Sequence, residues 1–387
     1  MYKRQILHPI LQLQLLPVDR ERVFGLDIFR AFAILCVMVA HTNSYYLLRN
    51  TARVTTQLFA FIGVETFFVL SGFLIGGILL KLFSGDVKNL SLAVKNFWVR
   101  RWFRTLPNYF LMLLVYIILE AIMGGVLKPY YLLFTVFLQN TFRPHPTFFG
   151  PAWSLSIEEW FYLLFPLGLA FAIRWLKLRG EKLFAFVVLL FIGSCLLLRI
   201  VVAFTANPEW LIGFRTIMPL RLDSIAFGVG FALLKYYHPG FFKKYRFLFF
   251  ASGVAGTLIM LFVFYFGYLQ QYGLKGGFFL KTFFFSFYSL FAAMLLPLCD
   301  AITTTTNRIW QKIITHISLI SYSLYLVHWV FVLLVNKYGA SFSGWERILM
   351  VWVASLVTAT LQYKYFEKPM TDMREKFSFG KKKIQIA

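Results

Sequence analysis

Apolar runs long enough to cross a bilayer recur from one end of this chain to the other, and that recurrence leaves few folds open. A membrane-spanning helix needs about 20 predominantly apolar residues. The stretch FAFVVLLFIGSCLLL, from Phe184 to Leu198, carries no charge, and comparable runs precede and follow it. A soluble domain keeps about a quarter of its residues charged; here 14% are charged and 59% are hydrophobic. Such a chain lacks the polar surface to coat a soluble body. It is expected to be an all-α polytopic membrane protein, a bundle of about ten transmembrane helices. The spans are placed at 24–46, 58–80, 105–123, 153–173, 183–205, 216–234, 247–268, 280–302, 313–335 and 346–363.

A net charge of +23 would direct a soluble protein to nucleic acid. In a polytopic chain the positive-inside rule accounts for it, and no nucleic-acid partner is expected. With the N-terminus inside, 27 of the 39 Lys and Arg residues fall in cytoplasmic segments and span flanks and 10 in outer ones, leaving Arg30 and Arg221 within spans. The split predicts that both termini are cytoplasmic. Segment 1–23 is interrupted by Pro9 and Pro17 and lacks a small-residue cleavage site. It is expected along the inner membrane surface rather than as a signal peptide. Residues 24–370 then form the transmembrane domain, and 371–387 a basic cytoplasmic tail touching lipid headgroups. Cys36, Cys195 and Cys299 fall in predicted spans at no ligand spacing, so neither a disulfide nor a metal is expected. The connection 124–152 holds YYLLFTVFLQN, too short to span and expected as a re-entrant or interfacial helix. Its aromatics Tyr130, Tyr131, Phe148 and Phe149 are candidates for stacking on sugar rings, with interfacial anchoring as the alternative.

Ionisable groups at membrane depth are expensive and face the bundle interior or a watery cavity. Arg30 and His41 bound the stretch RAFAILCVMVAH. Eleven positions are three helical turns plus about 20°, so the two share one stripe about 16 Å apart. His41 lies about 25 Å from the inner edge of its span and His328 about 22 Å from that of its own. Glu65 and Glu158 lie about 10 Å and about 8 Å below the outer edges of theirs. Arg221 and Asp223 fall at a similar depth. All are expected in one layer, in the outer half of the bilayer.

Each has a structural alternative. Glu159 follows Ser156 at the S-x-x-E spacing of a capping box, whereas Glu158 faces elsewhere. Arg221 and Asp223 are as well placed to neutralise each other as to act. His328 sits on a Ser/Tyr-rich face suited to interhelical hydrogen bonding. Glu65 requires a partner, which a histidine or arginine of the first span would supply. RRWFRTLP, Arg100–Pro107, with Lys95 upstream, stands at the cytoplasmic entrance of the third span. It is either positive-inside anchoring or an anion site, since clustered guanidinium groups suit phosphate.

The motifs GLDIFRAFAILCVMVAH, GVETFFVLSGFLIGG, FWVRRWFRTLP, PAWSLSIEEWFYLLFP, RLDSIAFGVG, SYSLYLVHW and FEKP occur in that order. From about Gly25 to Met370 the chain thereby resembles the acyltransferase-3 family of integral-membrane O-acyltransferases, with the R-x10-H spacing of Arg30 and His41 included. The resemblance implies transfer of an acyl group, usually acetyl from cytoplasmic acetyl-CoA, to a hydroxyl of an envelope glycan or lipid-linked saccharide at the outer face of a bacterial inner membrane. It implies that His41 is catalytic, that Arg30 belongs to the same motif, that Glu158 is required, and that Arg101 and Arg104 handle the donor. Acetyl-CoA would be a substrate, and no tightly bound cofactor is expected. Glu65 stands where many relatives carry aspartate, and the chain ends soon after the tenth span, without the extracytoplasmic SGNH-type domain of some relatives.

Ester formation from a thioester and an alcohol needs a base for the hydroxyl proton and a stabiliser for the developing oxyanion. Histidine suits the first task, with an ordinary pKa of about 6.5. His41 is therefore expected to take the proton, with Glu158 orienting it or favouring its charged form. Arg30 is expected to line the donor's route, and Arg221 is a candidate oxyanion or acceptor contact. Direct transfer and an acyl-histidine intermediate both remain open. The alternative class is a transporter or flippase of a lipid-linked sugar or small anion, which would also place polar groups at mid-depth.

Overall fold

The computed structural model describes residues 22–46, 53–85, 89–126, 128–267 and 277–377. The greater part of the expected interfacial segment 1–23 and of the basic tail 371–387 lies outside the described residues. Ten main helices follow one another: α1 (Phe24–Tyr46), α2 (Arg53–Phe83), α3 (Leu90–Ile122), α4 (Ala152–Arg174), α5 (Gly180–Thr205), α6 (Leu222–Tyr237), α7 (Arg246–Phe266), α8 (Phe283–Ala301), α9 (Arg308–Tyr338) and α10 (Gly344–Gln362). Among the described residues there is no strand, and nine helices are long and apolar enough to cross a membrane. The protein is thus a polytopic all-α membrane bundle.

The exception is α6. The span expected at 216–234 is a helix of 16 residues, about 24 Å long against a hydrocarbon core of about 30 Å. Its missing turns are replaced by an irregular segment over 206–221, in which a π-helical turn at Trp210–Arg215 and a 3-10 turn at Met218–Leu220 are broken up near Pro208 and Pro219, and Asn207 takes a φ of +43°. Non-helical backbone survives at membrane depth only where protein groups satisfy it. Here the Met218 amide donates to the Asn140 carbonyl (3.0 Å) and the Asn140 side-chain amide to the Thr216 carbonyl (2.6 Å). The Arg199 guanidinium covers the Leu220 carbonyl at 2.7 Å.

Three other expectations are corrected. The third helix begins fifteen residues before the expected 105, because the Asn89 side chain caps it by accepting from the Leu92 amide at 2.9 Å. Arg101 and Arg104 therefore lie on the helix body rather than at its mouth. The helix containing Ser156 starts earlier, at Ala152, so Ser156 and Glu159 form no capping box; the Ser156 hydroxyl donates to the Phe137 carbonyl instead. In place of a re-entrant helix, the 124–152 connection makes a turn of 3-10 helix at Pro129–Tyr131 and one α-turn at Leu132–Thr135. Its aromatics pack on each other and on α3. Tyr131 stacks on Phe148 at 3.9 Å and Phe149 on Tyr116 at 4.2 Å, so these rings are spent on the fold.

Lipid gives helices no hydrophobic reason to associate, so close packing through small residues carries the bundle. Along α2 a side chain at Gly63 would come within 2.7 Å of the Ala33 carbonyl oxygen of α1. At Gly72 one would overlap the Ile225 carbonyl of α6, and at Gly228 one would overlap the Val69 carbonyl in return. Helices α1, α2 and α9 form the centre, with 61%, 67% and 61% of their apolar stretches buried, while α5, α7 and α10, at 28%, 22% and 22%, form the rim.

Candidate active site

Two cavities lie inside this centre. The first, of about 320 Å³, is lined by His41, Gln57, Trp153, Arg215 and Trp329 among others. The second, of about 120 Å³, is lined by Arg30, Ser71, Arg101, Arg104 and Glu158 among others. We call them the histidine cavity and the arginine cavity.

His41 is positioned by α1 lying against α9 and α10. The Tyr46 hydroxyl donates to the Val332 carbonyl at 2.9 Å, and the Trp352 indole donates to the Thr42 hydroxyl at 3.3 Å. The imidazole meets His328 of α9, with Nδ1 of His41 2.7 Å from Nε2 of His328. Nδ1 of His328 lies 3.1 Å from the Leu324 carbonyl oxygen. A carbonyl only accepts, so that nitrogen carries the proton of the neutral ring and Nε2 of His328 is an acceptor. His41 must then donate from Nδ1, which makes Nε2 its basic nitrogen. The Trp329 ring closes edge-on at 4.9 Å. A His328→Ala variant is expected to lower kcat about 100-fold with the donor KM unchanged, because the tautomer of His41 is no longer imposed. Steady-state kinetics checks this, and an unchanged kcat would return His328 to a packing role.

Glu158 stands elsewhere. It lines the arginine cavity, where it accepts from the Tyr162 hydroxyl at 2.5 Å and pairs with Arg101 at 3.7 Å. Arg101 also donates to the Tyr162 hydroxyl and lies 4.2 Å from that ring's centroid. The group that orients His41 is thus His328, and Glu158 instead orients Arg101. Sequence had brought both carboxylate and imidazole to one depth; in the structure Glu158 instead shares a cavity with Arg30, three turns along α1 from His41. Arg30 and Arg104 line the same cavity, and among the described residues neither guanidinium makes a hydrogen bond or ion pair. Their like charges sit together with Arg101, which is an arrangement suited to an anion.

The remaining expected residues form a third group, fully buried. Glu65 pairs with Arg221 of the irregular segment, not with the first span, and accepts from Ser289 at 3.2 Å. Asp223 pairs with Arg199 rather than with Arg221, through two bonds of 2.9 and 2.7 Å. The two guanidinium groups lie against Phe285, at 3.9 and 5.6 Å from its centroid. Arg221 is therefore held away from both cavities. The cation of the histidine cavity is Arg215, which donates to Gln57 at 3.0 Å and lies 5.4 Å from the Trp153 ring. Sequence reasoning missed both Arg199 and Arg215, having assigned them to the outer flanks of spans. For Arg199 a signal was present, since LLLRIVVA sets a cation inside an apolar run. Among the described residues, no cluster of His, Cys, Asp and Glu is arranged to hold a metal.

An imidazole pair set beside a cavity of arginines, within a polytopic bundle, defines the class: a membrane-embedded protein whose reactive groups face its own interior. The family model described as an acyltransferase domain matches residues 23–362, and the chain belongs to that family, the acyltransferase-3 proteins. It is similar to the O-acetyltransferase OatA of Staphylococcus aureus (strain MRSA252), 28% identical over 397 residues, covering 94% of this chain and 60% of the relative. It is also similar to the peptidoglycan O-acetyltransferase OatA of Listeria monocytogenes, 26% identical over 377 residues, covering 91% of this chain and 56% of the relative. The chain thus spans little more than half the length of these relatives. No solved structure matches it. The helices and the bacterial relatives together make it a multi-pass protein of a bacterial cytoplasmic membrane.

Proposed function

We propose that the protein is an O-acetyltransferase that moves an acetyl group from acetyl-CoA, on the cytoplasmic side, to a hydroxyl of an envelope glycan on the outer side. Both termini are then cytoplasmic, as the charge split along the sequence favours. The observation that carries this reading is the pairing of two adjoining cavities, one lined by Arg30, Arg101 and Arg104 and the other by the oriented His41. The relatives' names supply the acceptor class, and that of the Listeria protein specifies peptidoglycan.

In this reading the donor's phosphates rest at Arg104, which is exposed, and at Arg30 and Arg101 behind it. A cavity of about 120 Å³ admits a narrow chain rather than a nucleotide, so the pantetheine arm enters while the nucleotide stays outside. The arm follows the stripe from Arg30 to His41, about 16 Å along α1. Nε2 of His41 takes the proton of the acceptor hydroxyl as its oxygen bonds to the thioester carbonyl carbon. The carbon–sulfur bond then breaks, and the proton passes from His41 to the departing thiolate. The products are the acetyl ester and free CoA. Arg215 stands in the same cavity to stabilise the developing oxyanion, and Glu158 keeps Arg101 directed at the donor.

The test uses purified protein with acetyl-CoA and peptidoglycan strands, scored by ester formed and thiol released. Arg30→Gln with Arg104→Gln is expected to raise the KM for acetyl-CoA tenfold or more, about the value of a lost charge-assisted contact. An unchanged KM would reassign these arginines to membrane topology. Movement of a lipid-linked sugar across vesicles without acetyl-CoA turnover would overturn the acyltransferase reading.

A further inference from the structure

The histidine and arginine cavities have two lining residues in common, Val64 of α2 and Tyr325 of α9. The first turn of α4 divides in the same place. Pro151 and Trp153 line the histidine cavity, and Ser154 and Leu155 line the arginine cavity. The Tyr325 hydroxyl is fastened to that turn, sharing a 2.6 Å hydrogen bond with the Ser154 hydroxyl and donating to the Pro151 carbonyl at 3.2 Å. Val64 and Tyr325 are buried, 5% and 7% exposed, and stand where the two cavities adjoin. The motif PAWSLS therefore does more than start a helix: it supplies the frame against which the tyrosine closes.

We propose that Val64 and Tyr325 form a partition that decides whether the acyl group reaches an alcohol or water. The inference rests on the acyl-transfer reading above. The histidine cavity is roomy enough to hold water when no acceptor is present, and His41, Thr56, Gln57 and Arg215 offer it hydrogen-bonding partners within a largely apolar lining. His41 would activate that water as readily as a sugar hydroxyl. Its oxygen would then bond to the thioester carbonyl carbon, the carbon–sulfur bond would break, and the proton would pass through His41 to the thiolate, giving acetic acid and CoA. A filled passage keeps the thioester on the arginine side until an acceptor displaces the water. The separation is thus a determinant of specificity for acceptor over water.

The partition predicts opposite effects from widening and blocking it. Val64→Ala removes bulk from the passage, and Tyr325→Phe removes both bonds to the α4 frame. Each is expected to raise thiol release from acetyl-CoA, with no acceptor present, about tenfold over the unsubstituted protein. Val64→Trp is expected to abolish thiol release even at acetyl-CoA concentrations that saturate its own measured Kd. Combining Val64→Ala with His41→Ala should remove the added hydrolysis, showing that it passes through the same imidazole. Direct binding of acetyl-CoA to each variant is measured alongside. Wild-type rates of hydrolysis in Val64→Ala and Tyr325→Phe, with donor binding intact, would overturn the partition while leaving the acyltransferase reading in place. Failure of the unsubstituted protein to bind acetyl-CoA would overturn that reading and the partition with it.

Discussion

Replacing His41 with alanine is expected to reduce acetyl transfer by about 10²–10⁴-fold, the usual contribution of a positioned general base. The size of the effect follows from the directionality of the histidine pair. Leu324 fixes the proton on His328, His328 fixes the proton on His41, and Nε2 is then the accepting nitrogen of His41. Alanine removes that nitrogen and the bond to His328, but α1 keeps its other hydrogen bonds, those of Tyr46, Thr42 and Asp27. The variant should therefore still insert and bind acetyl-CoA with the same Kd, while melting somewhat lower because the buried His328 loses its partner. A correctly inserted His41→Ala protein that transfers acetyl at a near-normal rate would end the assignment. An effect larger than that of His328→Ala is also required, because the second histidine acts only through the first.

The second large effect concerns stability. Arg221→Met is expected to destabilise the protein by about 3–5 kcal/mol, since breaking a buried ion pair leaves the other charge uncompensated. Glu65 and Arg221 are both inaccessible, and the carboxylate keeps only Ser289 when the guanidinium is gone. Glu65→Gln combined with Arg221→Met should recover part of the loss, as neither charge then remains. The measurement is a double-mutant cycle on thermal unfolding in detergent. This result would separate Arg221 from catalysis. A residue that contacts the oxyanion would instead lose activity at unchanged stability, and that outcome would restore the sequence expectation.

Much of this arrangement is legible in the sequence, and the reasons are physical. Period and length reveal spans because a lipid-facing helix has no other way to satisfy its backbone. Helical phase is equally firm over short distances, which is why Arg30 and His41 could be set on one stripe. Depth, however, carries no information about azimuth. His41, Glu158, Glu65 and Arg221 all came out at similar depth, yet the packing distributes them among two cavities and a buried cluster, with Glu158 beside Arg30 rather than His41. The pairing of Asp223 with Arg199, rather than with nearby Arg221, depends on the packing of α5 against α6. Arg215 escaped notice because a cation just beyond a span end reads as a flank. The irregular segment 206–221 folds it back to His41, and the prolines at 208 and 219 were its only marks in the sequence.

The glycine contacts of α2 have a mechanical consequence. Gly63 seats the helix on α1 immediately before Val64 and Glu65, and Gly72 locks it against Gly228 of α6 little more than two turns on. Backbone touches backbone at both places, so the segment between them has no compliant side chains across which to slide. This part of α2 behaves as a fixed rail, with one wall of the reaction path attached to it. Whatever gives way during turnover must lie on the opposite wall, where a single tyrosine ring and one helical turn are held by two hydrogen bonds.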